Sequence, residues 1–100
     1  MPKYLIERTV PGVHKLSGAE LHMAANKSCD ALEHLGPDIQ WQESFVTEDR
    51  ITCIYIARDE EIVREHAELS GFPADAIHRI AERIDPTTAE PRVMAGVETG

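Results

Sequence analysis

The sequence predicts an α+β fold in which two helices cover one face of an antiparallel sheet. A short β-rich run opens the chain and ends at a turn signal, and a long helical pattern follows it. Two adjacent strand patterns come next, before a second helix and a last short strand. The order strand, helix, strand, strand, helix, strand is that of the ferredoxin-like βαββαβ fold.

The first strand and the first helix have clear boundaries. The strand covers residues 3–9 and is followed by a turn that contains a proline and a glycine. The helix begins after Ser17, because Ser17 and Glu20 form a capping-box pattern, and it ends at Gly36, which precedes a proline. Residues at three- and four-residue spacing predict its packing stripe: Leu21, Ala25, Ser28, Leu32 and Leu35.

Two strands are predicted over residues 39–46 and 51–56, with a polar hairpin between them. The second of these is the most β-branched and aromatic run in the chain, which favours a central place in the sheet. Asp59 is placed to cap the second helix and Gly71 to close it, and a last strand is predicted over residues 77–84. The inward stripe of the second helix is predicted to contain Ile62, Val63, His66 and Leu69.

Composition and charge limit the classes of protein. We expect one domain over residues 1–89 and a flexible C-terminal tail over residues 90–100, where periodicity is lost. No apolar run approaches the roughly 20 residues that cross a bilayer, and the N-terminus lacks a signal sequence, so we expect a cytoplasmic protein without a membrane partner. The net charge of −8 argues against a nucleic-acid partner, because phosphates would be repelled.

The period-two pattern of the strands predicts what each face of the sheet carries. Ile6, Ile54 and Ile56 are aliphatic and suit the face beneath the helices. The other face would then expose a mixed set: Leu5, Glu7, Trp41, Glu43, Phe45, Cys53 and Tyr55. Such a face is too apolar to remain in water, so we expect a homodimer formed through the open sheet face.

Several side chains are candidates for chemistry, and each has a structural alternative. His66 is either a core histidine bonded to a backbone carbonyl, or a metal ligand or general base. Cys53 is either a small buried hydrophobe or a reactive thiol, whereas Cys29 is expected in the core. Glu7 and Glu43 stand in mid-strand, where a carboxylate needs a salt bridge or a bound cation.

Short segments along the chain carry a resemblance to a known family: residues 1–8, 36–41, 53–55, 64–67, 71–75 and 84–89. Together they resemble a family of small bacterial domains of unknown function that includes an actinobacterial nickel-binding protein. The resemblance implies a ferredoxin-like fold, a homodimer, and surface nickel sites that sequester or buffer the metal.

The leading hypothesis is therefore a small divalent-metal-binding protein, with nickel implied by the resemblance. Its candidate ligands are His66, Cys53, Glu43 and Glu7. One alternative is a dimeric α+β barrel enzyme that acts on a small organic molecule, with His66 or Glu43 as general base. The apolar walls of its pocket would be Trp41, Phe45 and Tyr55. A non-catalytic dimerisation module is a further alternative.

Overall fold

The computed structural model describes residues 1–91, and its main elements follow the predicted order. They are β1 (Lys3–Thr9), α1 (Gly18–Leu35), β2 (Ile39–Val46), β3 (Arg50–Ala57), α2 (Glu60–Ser70) and β4 (Ala76–Arg79). Short 3-10 turns lie at Val13–Lys15 and Pro86–Ala89. The predicted ferredoxin-like α+β fold is confirmed. Most of the tail predicted over residues 90–100 lies outside the described residues.

The four strands form one antiparallel sheet in the order β2-β3-β1-β4. β4 is shorter than the predicted strand over residues 77–84. β4 ends at Arg79 because its partner strand runs out there. Arg79 lies opposite Tyr4, and β1 begins only one residue before Tyr4. In residues 1–91 neither helix is long and apolar enough to cross a membrane.

Both predicted helix caps are present. The Ser17 Oγ accepts a hydrogen bond from the Glu20 N–H at 3.1 Å, and a Glu20 carboxylate oxygen accepts from the Ser17 N–H at 2.9 Å. The Asp59 carboxylate accepts from the Ile62 N–H at 3.0 Å. Gly71, which ends α2, has a φ of 78°, a left-handed conformation that favours glycine. Local sequence signals therefore set where these helices begin and end.

The buried faces of the helices differ in part from the prediction. Cys29 is exposed, not in the core, because the buried positions of α1 are Ser28 and Ala31, and Cys29 points about 100° away from Ser28. Leu69 was predicted to face inward but is 50% exposed, because Ala67 and Ser70 are the buried residues in this part of α2. The inward residues of α2 are Ile62, Val63, His66, Ala67 and Ser70.

The face prediction is correct for β1 and wrong for β3. Tyr4 and Ile6 lie opposite Tyr55 and Cys53, and residues paired across antiparallel strands share a face. All four are at most 5% exposed, so Cys53 and Tyr55 lie beneath the helices. Consequently the isoleucines of β3, Ile54 and Ile56, lie on the open side.

The face of Trp41 is also the reverse of the prediction, and a β-bulge explains it. Trp41 pairs with Tyr55, whereas Glu43 pairs with Ile54, so Gln42 is an extra residue in β2. The bulge reverses the alternation partway along the strand. Trp41 therefore faces the helices, while Glu43 faces the open side as predicted.

Candidate functional site

The open face is the side of the sheet without helices, and it carries both apolar and ionisable side chains. Leu5 of β1 pairs with Ile54 on one side and with His78 on the other, so these residues share this face. Phe45 lies opposite Thr52 on the same side and is 51% exposed. The face therefore combines a partly exposed apolar surface with polar groups near β4.

Glu7 and His78 form a close pair on the open face. Glu7 Oε2 lies 3.2 Å from His78 Nε2, and Glu7 Oε1 lies 2.7 Å from Arg50 Nη1. The salt-bridge alternative for Glu7 is thus present, and an imidazole stands beside the same carboxylate. The pairing of β1 with β4 produces this contact, so it could not be found from residue spacing in the sequence.

The candidate ligands named from the sequence do not come together. Glu7 and Glu43 lie on the open face, whereas Cys53 lies beneath the helices and His66 lies on the inner side of α2, so the sheet separates the two pairs. Glu43 is also two strands away from β1, roughly 10 Å at the usual strand spacing. Within residues 1–91, no cluster of three or more His, Cys, Asp or Glu side chains is arranged to hold a metal.

His66 is a core residue whose partner differs from the predicted carbonyl. It is 1% exposed, and its Nε2 lies 3.1 Å from the Ser28 hydroxyl. Its ring packs against the Tyr55 ring in a tilted arrangement, with 5.0 Å between the ring centroids. Burial, and then the nearby Arg8 charge, lower the pKa of His66 to about 4, against the opposing effect of Ser28. The imidazole is therefore neutral at pH 7.

A cavity of about 190 Å³ lies between α1 and the sheet, and it is partly open to solvent beside the exposed side chains of Leu21 and Val46. Trp41 and Tyr55 line it, but Phe45 does not, because Phe45 is on the open face. The Trp41 Nε1–H donates to the Ser44 hydroxyl at 2.9 Å, which orients the indole. Of the three residues predicted to line a pocket, Trp41 and Tyr55 therefore do so. Phe45 does not, because the pocket lies on the other side of the sheet.

Arg8 also lines this cavity, and the sequence analysis missed it. It is 3% exposed although it carries a charge. The signal was present: Arg8 follows Tyr4 and Ile6 at period-two spacing, so it belongs to the face that the helices cover.

These features define the class of protein: a small ferredoxin-like α+β domain with an open sheet face and a partly open cavity between α1 and the sheet. Residues 4–80 match the sequence model of the family described as "Nickel responsive protein SCO4226-like", and the chain belongs to that family. The crystal structure of SCO4226 from Streptomyces coelicolor A3(2) is similar, with a TM-score of 0.69 and 18% identity over 82% of this chain and 99% of that chain. This likeness shows the shared fold. No curated protein matches the chain.

Proposed function

We propose that this chain is a small cytoplasmic protein that binds nickel for sequestration or buffering, through Glu7 and His78 on the open face. The observation that carries the proposal is the 3.2 Å separation between Glu7 Oε2 and His78 Nε2. An imidazole next to a carboxylate suits a divalent transition metal such as nickel. The family description, which names a response to nickel, supports the choice of metal.

One Glu7–His78 pair supplies too few ligands for nickel, and we propose that a second copy of the chain completes the site. A homodimer formed through the open face would cover Phe45 and Ile54, and it would bring a second pair of ligands to the same surface. Arg50 competes for Glu7, but both partners are partly exposed, so this salt bridge is weak enough for a metal to displace.

Calorimetric titration of the untagged protein with nickel tests the proposal. We expect saturable binding in the wild type, loss of binding in His78→Ala, and unchanged binding in the control His34→Ala, which removes an exposed histidine of α1. Binding should weaken in acid, because protons compete with the metal for imidazole and carboxylate. No saturable wild-type binding tighter than millimolar, or full binding by His78→Ala, would contradict the proposal.

The cavity gives the enzyme alternative a pocket, but neither proposed base is placed to act in it. Glu43 lies on the opposite side of the sheet from the cavity. His66 lies behind Ser28 and is not part of the cavity wall, and a pKa of about 4 makes it a weak base at neutral pH. The geometry therefore favours binding over catalysis by these residues.

A further inference from the structure

One wall of the cavity between α1 and the sheet contains a buried cation, the guanidinium of Arg8. The Arg8 guanidinium donates through Nη1 to the backbone oxygens of Phe72 at 3.3 Å and Pro73 at 3.1 Å. Within residues 1–91, no carboxylate lies at ion-pair distance from it. A buried charge is costly unless it is paired, so Arg8 favours an anion in the space that it lines.

The rest of the cavity is suited to an apolar group of modest size. Leu21 and Ala25 of α1 form one wall, and Trp41 and Ile51 of the sheet form another. An engineered apolar cavity of about 150 Å³ is large enough to hold benzene. The cavity here, at about 190 Å³, therefore has room for a single ring or a short alkyl chain with one small polar group.

Two hydroxyl groups in the same cavity wall as Arg8 are suited to a ligand that accepts hydrogen bonds. The Ser28 and Tyr55 hydroxyls belong to residues of the cavity wall. Burial, and then the nearby Cys53, raise the pKa of Tyr55, outweighing the opposing effects of Arg8 and Ser28. Tyr55 therefore keeps its proton at neutral pH and can donate a hydrogen bond.

We propose that this cavity is a binding site for a small apolar monocarboxylate, with Arg8 as the group that binds the carboxylate. A guanidinium matches a carboxylate through two parallel hydrogen bonds, and a single cation balances a single negative charge. Tyr55 supplies a further donor, and the apolar walls hold the hydrocarbon part of the ligand. The site is separate from Glu7 and His78, so it does not depend on nickel binding.

Trp41 provides a direct readout, because it is the single tryptophan of the chain and lines the cavity. Cyclohexanecarboxylate is titrated into the wild type while tryptophan fluorescence is followed, with EDTA present to exclude any metal effect. The uncharged cyclohexanecarboxamide, which has nearly the same shape, is the matched control. We expect a saturable change with the acid and at least tenfold weaker binding of the amide, about 1.4 kcal/mol.

Two variants test the site. Arg8→Met should abolish the preference for the acid, but Arg8 also holds the Phe72 and Pro73 carbonyls, so a variant that leaves it intact is needed. Ala25→Leu fills the cavity from α1, and Ala19→Leu changes an exposed residue of the same helix as a control. We expect Ala25→Leu to lose the fluorescence response and Ala19→Leu to keep it. No saturable wild-type response, equal affinity for acid and amide, or full binding by Ala25→Leu would overturn the proposal.

Discussion

The His66 Nε2 lies 3.1 Å from the Ser28 hydroxyl, and this buried contact joins α2 to α1. The other ring nitrogen, Nδ1, is also buried and has no partner within residues 1–91. Protonation of the ring would place a charge between the helices and close to the Arg8 cation. The fold therefore requires a neutral imidazole at this position.

We expect the stability of the protein to fall between about pH 6.5 and pH 4. Because burial lowers the pKa of His66 from 6.5 to about 4, the unfolded chain takes up a proton in this range that the folded chain excludes. The contribution of the neutral His66 to the free energy of unfolding is fully present above pH 6.5, and about 3 kcal/mol of it is lost by pH 4. Urea unfolding at pH 7, 5.5 and 4.5 measures the loss.

A matched pair of variants assigns this pH dependence to one residue. His66→Gln removes the titrating group, so the free energy of unfolding should change less with pH than in the wild type. His34→Gln, at an exposed position of α1, should retain the wild-type dependence. If His66→Gln and the wild type lose stability equally as the pH falls, the buried imidazole is not the cause.

The two cysteines should differ sharply in reactivity towards a thiol reagent. Both are free thiols, but Cys29 is exposed and Cys53 is 4% exposed beneath the helices. With Ellman's reagent, we expect one thiol to react rapidly in the folded protein and the second only after denaturation. The rapid phase should vanish in Cys29→Ser. Two thiols with the same rate in the wild type would show that Cys53 is not enclosed.

The proposed homodimer predicts different effects for charges on the two sides of the molecule. Phe45→Lys places a charge on the open face, so it should convert the dimer to a monomer. Met23→Lys changes a residue of α1 that is 69% exposed, and it should leave the dimer intact. Size-exclusion chromatography coupled to light scattering reports the molecular mass of the wild type and of each variant. A monomeric wild type, or a dimeric Phe45→Lys, would rule out this interface.

The order of the elements and the ends of the helices could be predicted because their signals are local. The capping box of Ser17 and Glu20 needs only a few neighbouring residues, and so does the cap at Asp59. The faces of β3 could not be assigned in the same way. Alternation divides a strand into two sets, but the pairing of Tyr4 with Tyr55 decides which set is buried.

The candidate sites were harder to predict because they depend on contacts between distant parts of the chain. Glu7 was singled out from the sequence, but its neighbour His78 was not, since the β4 register alone brings them together. A single bulge at Gln42 separated Trp41 from Glu43. Arg8 was not grouped with Cys53 and Tyr55 because the sequence analysis placed these two residues of β3 on the opposite face of the sheet.

The most direct test of the central proposal is an anomalous diffraction map, measured at the nickel absorption edge, from crystals of this protein grown with nickel. We predict a peak within coordination distance of Glu7 Oε2 and His78 Nε2, with a second copy of the chain packed on the same open face. A strong peak only at other histidines, such as His22 or His34 of α1, or no peak at all, would contradict the proposed site.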